Sequence, residues 1–497
     1  TPEKGKEIMV KPANMMFFMS DNHTRDLLGA AGHPVVQTPT LDKIATSGVR
    51  FENAYSTSPL CCPSRAGLAT GRYPHQTGYW DNALAYDGKT PTWHGRVRDQ
   101  GHMAVSVGKL HFMSGENDNG FSEEIVPMHI VEGKGALIGL LRATQEGVPP
   151  RTGPRAMYDK SGIGEADYQR YDLHVTENAI KWLQDHGAKQ DKPWVLFVSY
   201  ASPHPPFAVP KRFYDLYPEA DMPLPVQFDA ASRPDHPSVA HIRQVDGLEE
   251  PVDEAYMRRT VAGYCGLVTH LDEQVGQVMK SAEDLGLLDN TRILYTSDHG
   301  EAAGNHGLFG KSNLYEHSIG VPLLISGPGV SAGGVVSQIA SHVDLFPTVV
   351  EALGASLASE DADLPGVSLW PAVGGQETDR LGFAEFHAQS SKTAGYLLRD
   401  GKDKLVYHVN MPRQHFDLEA DPQETNDLAI SGGADATADA LEAKLREMFD
   451  PEAVNQRAMA DQLAHADRHG GVDAVRDRGT FSYTPVPGDD LNLEKVG

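Results

Sequence analysis

Met15-Met16-Phe17-Phe18-Met19 is followed at once by Ser20-Asp21-Asn22. An apolar run this short, ended by polar residues, reads as a strand buried on both faces whose carboxyl end delivers an acid and an amide. The pattern recurs. Met103–Val107 precedes Gly108-Lys109, Trp194–Val198 precedes Ser199, Ile293–Tyr295 precedes Thr296-Ser297-Asp298, and Pro322–Ile325 precedes Ser326-Gly327-Pro328. Between the runs lie stretches with helix-period apolar positions: Tyr171–His186, Tyr256–Leu285 stopped by Gly286, and Val343–Leu353 closed by Gly354. Alternating strands and helices predict an α/β fold, a large mostly parallel sheet sandwiched by helices.

Around Pro371–Gly375 the rhythm changes to short strand candidates, Gly382–Phe386, Tyr396–Arg399 and Lys404–His408, with an Asp400-Gly401 turn and a helix over Asp439–Phe449. These predict a smaller C-terminal α+β antiparallel-sheet domain. The expected division is residues 1–375 for the large domain, 376–469 for the small one and 470–497 for an extended, Gly/Pro-rich tail. Within the tail, Phe481 and Tyr483 are spaced to share one side of an extended strand.

Composition narrows the functional classes. The 497 residues carry 43 Lys plus Arg against 68 Asp plus Glu, a net charge of −25. Phosphate neutralisation needs a basic face, so a nucleic-acid partner is not expected, nor is an anionic membrane surface. No run approaches the ~18 apolar residues of a membrane span. Cys61, Cys62 and Cys265 do not make a disulfide framework, and the opening residues lack an apolar leader core; both point to a cytoplasmic protein.

In open α/β sheets, ligands bind beyond the carboxyl ends of the strands. Those ends present Asp21-Asn22, Lys109-Leu110-His111, His204 and Asp298-His299. Two acid-plus-amide or acid-plus-imidazole pairs can offer O,O,O,N ligands to one divalent cation, although Asp and Asn after a strand also cap helices. A second segment, Ser58-Pro59-Leu60-Cys61-Cys62-Pro63-Ser64-Arg65-Ala66-Gly67-Leu68-Ala69-Thr70-Gly71-Arg72, places Cys61 at a helix start with Arg65 near it, a setting that favours an anion.

Cys61-x-Pro63-Ser64-Arg65 with Thr70-Gly71-Arg72 resembles the signature of type I sulfatases of the alkaline phosphatase superfamily. The likeness extends through Gly108-Lys109-Leu110-His111, Ser202-Pro203-His204-x-Pro206-Phe207, Thr296-Ser297-Asp298-His299-Gly300-Glu301, Lys311-Ser312-x-Leu314-Tyr315-Glu316 and Phe416-Asp417-Leu418 through Glu424. The resemblance implies that Cys61 is oxidised by a formylglycine-generating maturation enzyme. Only Cys61 has the required spacing, so Cys62 and Cys265 are expected to be buried neighbours. In that family the hydrated aldehyde attacks sulfur, the alcohol leaves with help from an acid, and the second hydroxyl expels sulfate.

By the same resemblance Asp21, Asn22, Asp298 and His299 hold the metal together with the Cys61-derived group. Arg65 stabilises that group and the carboxylates. Lys109 and Lys311 bind sulfate oxygens, His204 is the general acid, and His111 is the base in sulfate release. Many sulfatases carry Asp-Asp and Asp-Asn where this chain has Asp21-Asn22 and Asp298-His299. An imidazole ligand suits Mn²⁺ better than Ca²⁺. The pattern is similar to choline sulfatases and phosphonate monoester hydrolases, a cytoplasmic branch whose tails cross subunit interfaces. A homo-oligomer, dimer or tetramer, is therefore expected, with tails docked on neighbouring subunits at the rim of the active site; the alternative is a tail packed on its own subunit.

The expected activity is hydrolysis of a small organic sulfate monoester. The alternative is a phosphonate monoester or phosphodiester hydrolase on the same scaffold, against which the cationic Lys109-x-His111 pair argues. Asn82 is a candidate to hydrogen-bond the ester, although Asp81-Asn82 is also an ordinary turn pair. A quaternary ammonium needs an aromatic cage, and Glu124–Gly139 offers no Trp, Tyr or Phe; Trp80 and Trp93 are the nearest aromatic candidates.

Overall fold

The structure, a computed structural model, describes residues 10–144, 153–431, 435–491 and 493. Its main sheet is built from β1 (Asn14–Ser20), β2 (Gly48–Phe51), β3 (Ala104–Lys109), β4 (Glu123–Met128), β5 (Val195–Ser199), β6 (Thr291–Ser297), β7 (Leu323–Ser326) and β8 (Gly334–Val336). Their order across the sheet is β8-β2-β7-β6-β1-β5-β3-β4. Every pairing is parallel except those of β7 with β2 and β6.

The reason β1 sits centrally is in its sequence. Met15, Phe17 and Met19 project into one apolar core and Met16 and Phe18 into the other, so both faces of the strand are used. On the second face lie α2 (Asp167–Trp182) and α3 (Glu254–Asp284), introduced after the fully buried α1 (Cys61–Thr70). Because β1, β3, β5 and β6 run parallel, Asp21, Lys109, Ser199 and Asp298 all emerge at one edge of the sheet.

A second sheet of β9 (Leu381–Phe386), β10 (Gly395–Asp400), β11 (Asp403–His408) and β12 (Gln414–Asp417) is an antiparallel meander. The α4 helix (Ala436–Met448) covers one face through Ala438, Leu441 and Leu445. An ionic seam joins this unit to the large one. Lys404 Nζ of β11 lies 2.8 Å from Glu316 and 2.7 Å from Glu424, while Arg25 reaches Glu316 at 2.8 Å. Glu385 of β9 accepts from the backbone N–H of His75 at 2.7 Å and lies 2.9 and 2.7 Å from the rings of His75 and His387.

Three features differ from the expectation. The helix α5 (Pro451–Arg468) follows α4 without having been legible, since the side chains it buries are largely small or polar: Ala458, Ala466, Asn455 and Gln462. The stretch expected as extended tail begins with a helix, α6 (Gly471–Arg478), because Val472 and Val475 are at helical spacing and join a cluster with Leu137, Leu140 and Ala466. The segment beyond α6 lies on its own chain, where sequence reasoning directs it to a neighbouring subunit: Tyr483 and Val486 join the core beside Tyr168. Residues 492 and 494–497 of that tail lie outside the described residues.

Candidate active site

Two local devices bring the site together. The α1 helix starts at Cys61 and is closed by Gly71 at φ 65°, so Cys61 and Arg65 lie one turn apart on a helix buried along its whole length. Gly108, at φ 106°, brings β3 close against β5: a Cβ there would lie 2.1 Å from the Ser199 carbonyl oxygen, so only glycine lets Lys109 enter from this strand.

Asp21, Cys61, Asp298 and His299 each place one ligand atom within 4.8 Å of the others, and all four are buried. Cys61 Sγ is 3.2 Å from His299 Nε2 and 3.9 Å from Asp21 Oδ1. Arg65 closes the group from below. Its Nε donates to Asp298 at 2.9 Å and its Nη2 to Asp21 at 3.2 Å; Nη1 donates to the Lys109 carbonyl at 2.7 Å and to Ser199 Oγ at 3.0 Å. Lys109 Nζ is 2.7 Å from Asp21. Asn22, at φ 67°, donates its side-chain N–H to Glu301 at 2.6 Å and accepts from Lys311 Nζ at 3.0 Å.

The electrostatics fit a divalent cation. Burial opposes charge on Asp21, yet Lys109, His204, Arg65 and Lys311 together hold its carboxyl well below the usual range. Burial, then the Asp21 charge, pushes Asp298 up to about 7. Two buried carboxylates that cannot both keep their charge cheaply are relieved by a cation between them. The donors available are carboxylate oxygens, one imidazole, the Asn22 amide and the group at position 61, a hard-to-borderline set.

His204 Nδ1 lies 2.6 Å from the Pro205 carbonyl, so Nδ1 carries the proton and Nε2 is the free edge. Burial first, then Lys311, lowers its pKa well below the ordinary value. His111 Nε2 is 3.0 Å from Thr484 Oγ1. The Lys311 ammonium is also buried, which works against its charge, but Cys61, Asp21 and Asp298 raise its pKa.

The predicted metal and catalytic residues thus gather at one site, with one qualification of contact among them and one for the substrate-binding candidate. The Asn22 amide oxygen faces Lys311 in this structure. Asn82, expected at the ester, accepts from the Cys62 backbone N–H at 3.1 Å and so serves the first turn of α1. Cys62 is buried against Ala85 and Ile130, and Cys265 lies in a separate core where burial raises its thiol to about 12. Trp80 donates to Asp461 and Trp93 stacks on Phe17, so both belong to the core.

Sequence reasoning gave no role to Glu301, which accepts from Asn22, Tyr158 and the backbone N–H groups of Ala303 and Gly310. Its signal was its place at the end of the Asp298-His299-Gly300-Glu301 block. Tyr168, whose ring lies 5.2 Å from Lys109 Nζ and 5.3 Å from the His204 ring, stands in no motif.

The cations around Asp21, Cys61, Asp298 and His299 suit the hydrolysis of a charged ester. The chain belongs to the sulfatase family, whose profile matches residues 13–355; that of the N-sulphoglucosamine sulphohydrolase C-terminal region matches residues 304–450. The protein is a sulfuric ester hydrolase. It is 32% identical to the choline-sulfatase of Rhizobium meliloti (strain 1021) over 84% of this chain and 82% of that one. It is 30% identical to arylsulfatase K of Danio rerio over 89% of this chain and 85% of the relative. Its fold matches the phosphonate monoester hydrolase of Agrobacterium radiobacter with TM-score 0.70 and 24% identity, covering 88% and 95% of the two chains.

Proposed function

We propose that this sulfatase cleaves a small organic sulfate monoester to alcohol and sulfate, using formylglycine made from Cys61 by a maturation enzyme and one divalent metal ion, Mn²⁺ in preference to Ca²⁺. The observation that carries the reading is the buried group of Asp21, Cys61, Asp298 and His299 with Arg65, Lys109 and Lys311 around it. A sulfate monoester keeps one negative charge that repels a nucleophile, so the site has to neutralise it without water.

When bound, the cation supplies Lewis-acid stabilisation to the attacking and sulfate oxygens. The chain does the rest. Arg65 ties Asp21 to Asp298 and keeps both aimed inward. Lys109 and Lys311 stand beside the carboxylates as point charges for sulfate oxygens, and Asn22 holds Lys311 in place. His204, its Nδ1–H held by the Pro205 carbonyl, acts as general acid in the imidazolium form, its Nε2–H passing to the leaving oxygen. His111 takes the proton on the side from which sulfate departs.

A cytoplasmic location is supported by the three unpaired cysteines, and cell fractionation tests it. A homo-oligomeric state, dimer or tetramer, is tested by light scattering.

The deciding experiment is a kinetic panel of choline, alkyl and aryl sulfates with one phosphonate ester, run beside mass spectrometry of the Cys61 peptide. A sulfate ester is expected to give the highest kcat/KM, with loss of sulfur at Cys61. A phosphonate or phosphodiester preferred over every sulfate overturns the assignment.

A further inference from the structure

The described stretch after Gly479 crosses the site. Beyond α6 the backbone passes over Tyr168, and Thr484 is buried while Pro487–Asp490 are exposed. Thr484 Oγ1 lies 3.0 Å from His111 Nε2, and Tyr168 donates its phenol O–H to the Thr484 carbonyl at 2.8 Å. The Tyr483 ring meets Tyr168 edge-on at 5.3 Å. Tyr168 itself touches His204 and Lys109, so one tail residue is linked to both histidines and a lysine of the site.

His111 has particular need of such a partner. Its backbone is at φ 54°, an uncommon conformation for a residue with a side chain. Its Nδ1 is buried without a protein partner, and among the described residues Thr484 is the only hydrogen-bond partner of the ring. A threonine hydroxyl both donates and accepts, so the bond survives either tautomer of the imidazole.

We propose that Thr484, supplied in cis by the C-terminal segment, is a positioning residue of the active site. It fixes the His111 imidazole and the Tyr168 phenol, and Tyr483 beside it forms the outer wall on the leaving-group side. The inference rests on the sulfatase reading above. It differs from a structural strap in that the loss of one hydroxyl, with the shape unchanged, has a kinetic signature.

The test compares Thr484→Val, Thr484→Ser and a chain ending at Gly479, with the full-length enzyme and its best sulfate ester. T484V should lower kcat about tenfold, the scale of one lost hydrogen bond in a dry site, with KM within about threefold. T484S should return to within about threefold of the wild type. The shortened chain should show the same loss of kcat and a raised KM, because the outer wall goes with it. A readout apart from turnover is the ring ¹⁵N resonance of His111 in histidine-labelled protein, assigned by its loss in His111→Ala. It should move in T484V and stay in T484S. Mixing H111A with T484V should give no more than the sum of their activities, as a contact in cis requires. Wild-type kcat with an unmoved resonance in T484V overturns the proposal, and so does recovery of activity on mixing. A matured wild-type enzyme that turns over no sulfate ester overturns the sulfatase reading instead, while the resonance still decides whether Thr484 holds His111.

Discussion

Cys61 and Cys62 are adjacent, equally buried and chemically identical, yet the fold gives them opposite surroundings. Cys61 faces His299 and Asp21; Cys62 faces Ala85 and Ile130. Cys61→Ser should therefore reduce turnover by a factor of at least about 10³, since it removes the nucleophile's precursor, while Cys62→Ser stays within about threefold; initial rates on one aryl sulfate decide it. Asn82 allows a second test. Its amide oxygen satisfies a helix-start N–H, so Asn82→Ala should cost about 1 kcal/mol of stability in urea unfolding and change KM less than about threefold. A large rise in KM with unchanged stability would return Asn82 to the ester. At this scale Asp21, Asn22, Asp298 and His299 were legible because each pair directly follows a buried strand, and Cys61 because of the residues spaced after it. Tyr168 and Thr484 were not, because each reaches the site through tertiary packing and neither has neighbours that mark it.

The central strands of the main sheet were legible for the same reason that they are stable: both faces are buried, so they read as continuous apolar runs. The edge strand β4, Glu-Glu-Ile-Val-Pro-Met, was not, since one exposed acid, a second half-exposed one and a proline are what an edge tolerates. The docking of β9 carries a prediction in pH. Burial opposes charge on Glu385, but the His75 ring and the His387 hydrogen bond lower its carboxyl from 4.5 to about 2. A carboxyl depressed in the folded state adds stability that is complete above its unfolded pKa and lost as pH falls through the folded one. The wild type should thus lose up to about 3 kcal/mol between pH 4.5 and 2 from this group. Glu385→Gln should be less stable at neutral pH and should lack that part of the acid limb, read by urea unfolding across the range.

At the scale of the molecule, the two units are bound through charge as well as apolar contact, by Lys404, Glu316, Glu424 and Arg25. The site lies wholly in the large unit apart from what the C-terminal segment adds; sequence reasoning directs that segment to the rim of a neighbour's site, and here it meets His111 of its own chain. Stripping the metal with a chelator should lower both the melting temperature and the activity, since the cation binds only where Asp21, Asp298 and His299 have converged. Mn²⁺ should restore both more fully than Ca²⁺. A stoichiometric Ca²⁺ site with no response to Mn²⁺ would reverse that order.

The burial of α1 sets a deadline. Cys61 is 2% exposed, and each residue of the helix around it is enclosed by the finished fold. On the proposal that a maturation enzyme oxidises Cys61, that enzyme has to reach the residue before the helix is enclosed, so the modification and the folding of this chain compete in time. Slower synthesis or a lower growth temperature should raise the matured fraction, whereas refolding of purified unmatured protein should yield a well-formed molecule that stays inert however long it is kept with the modifying enzyme.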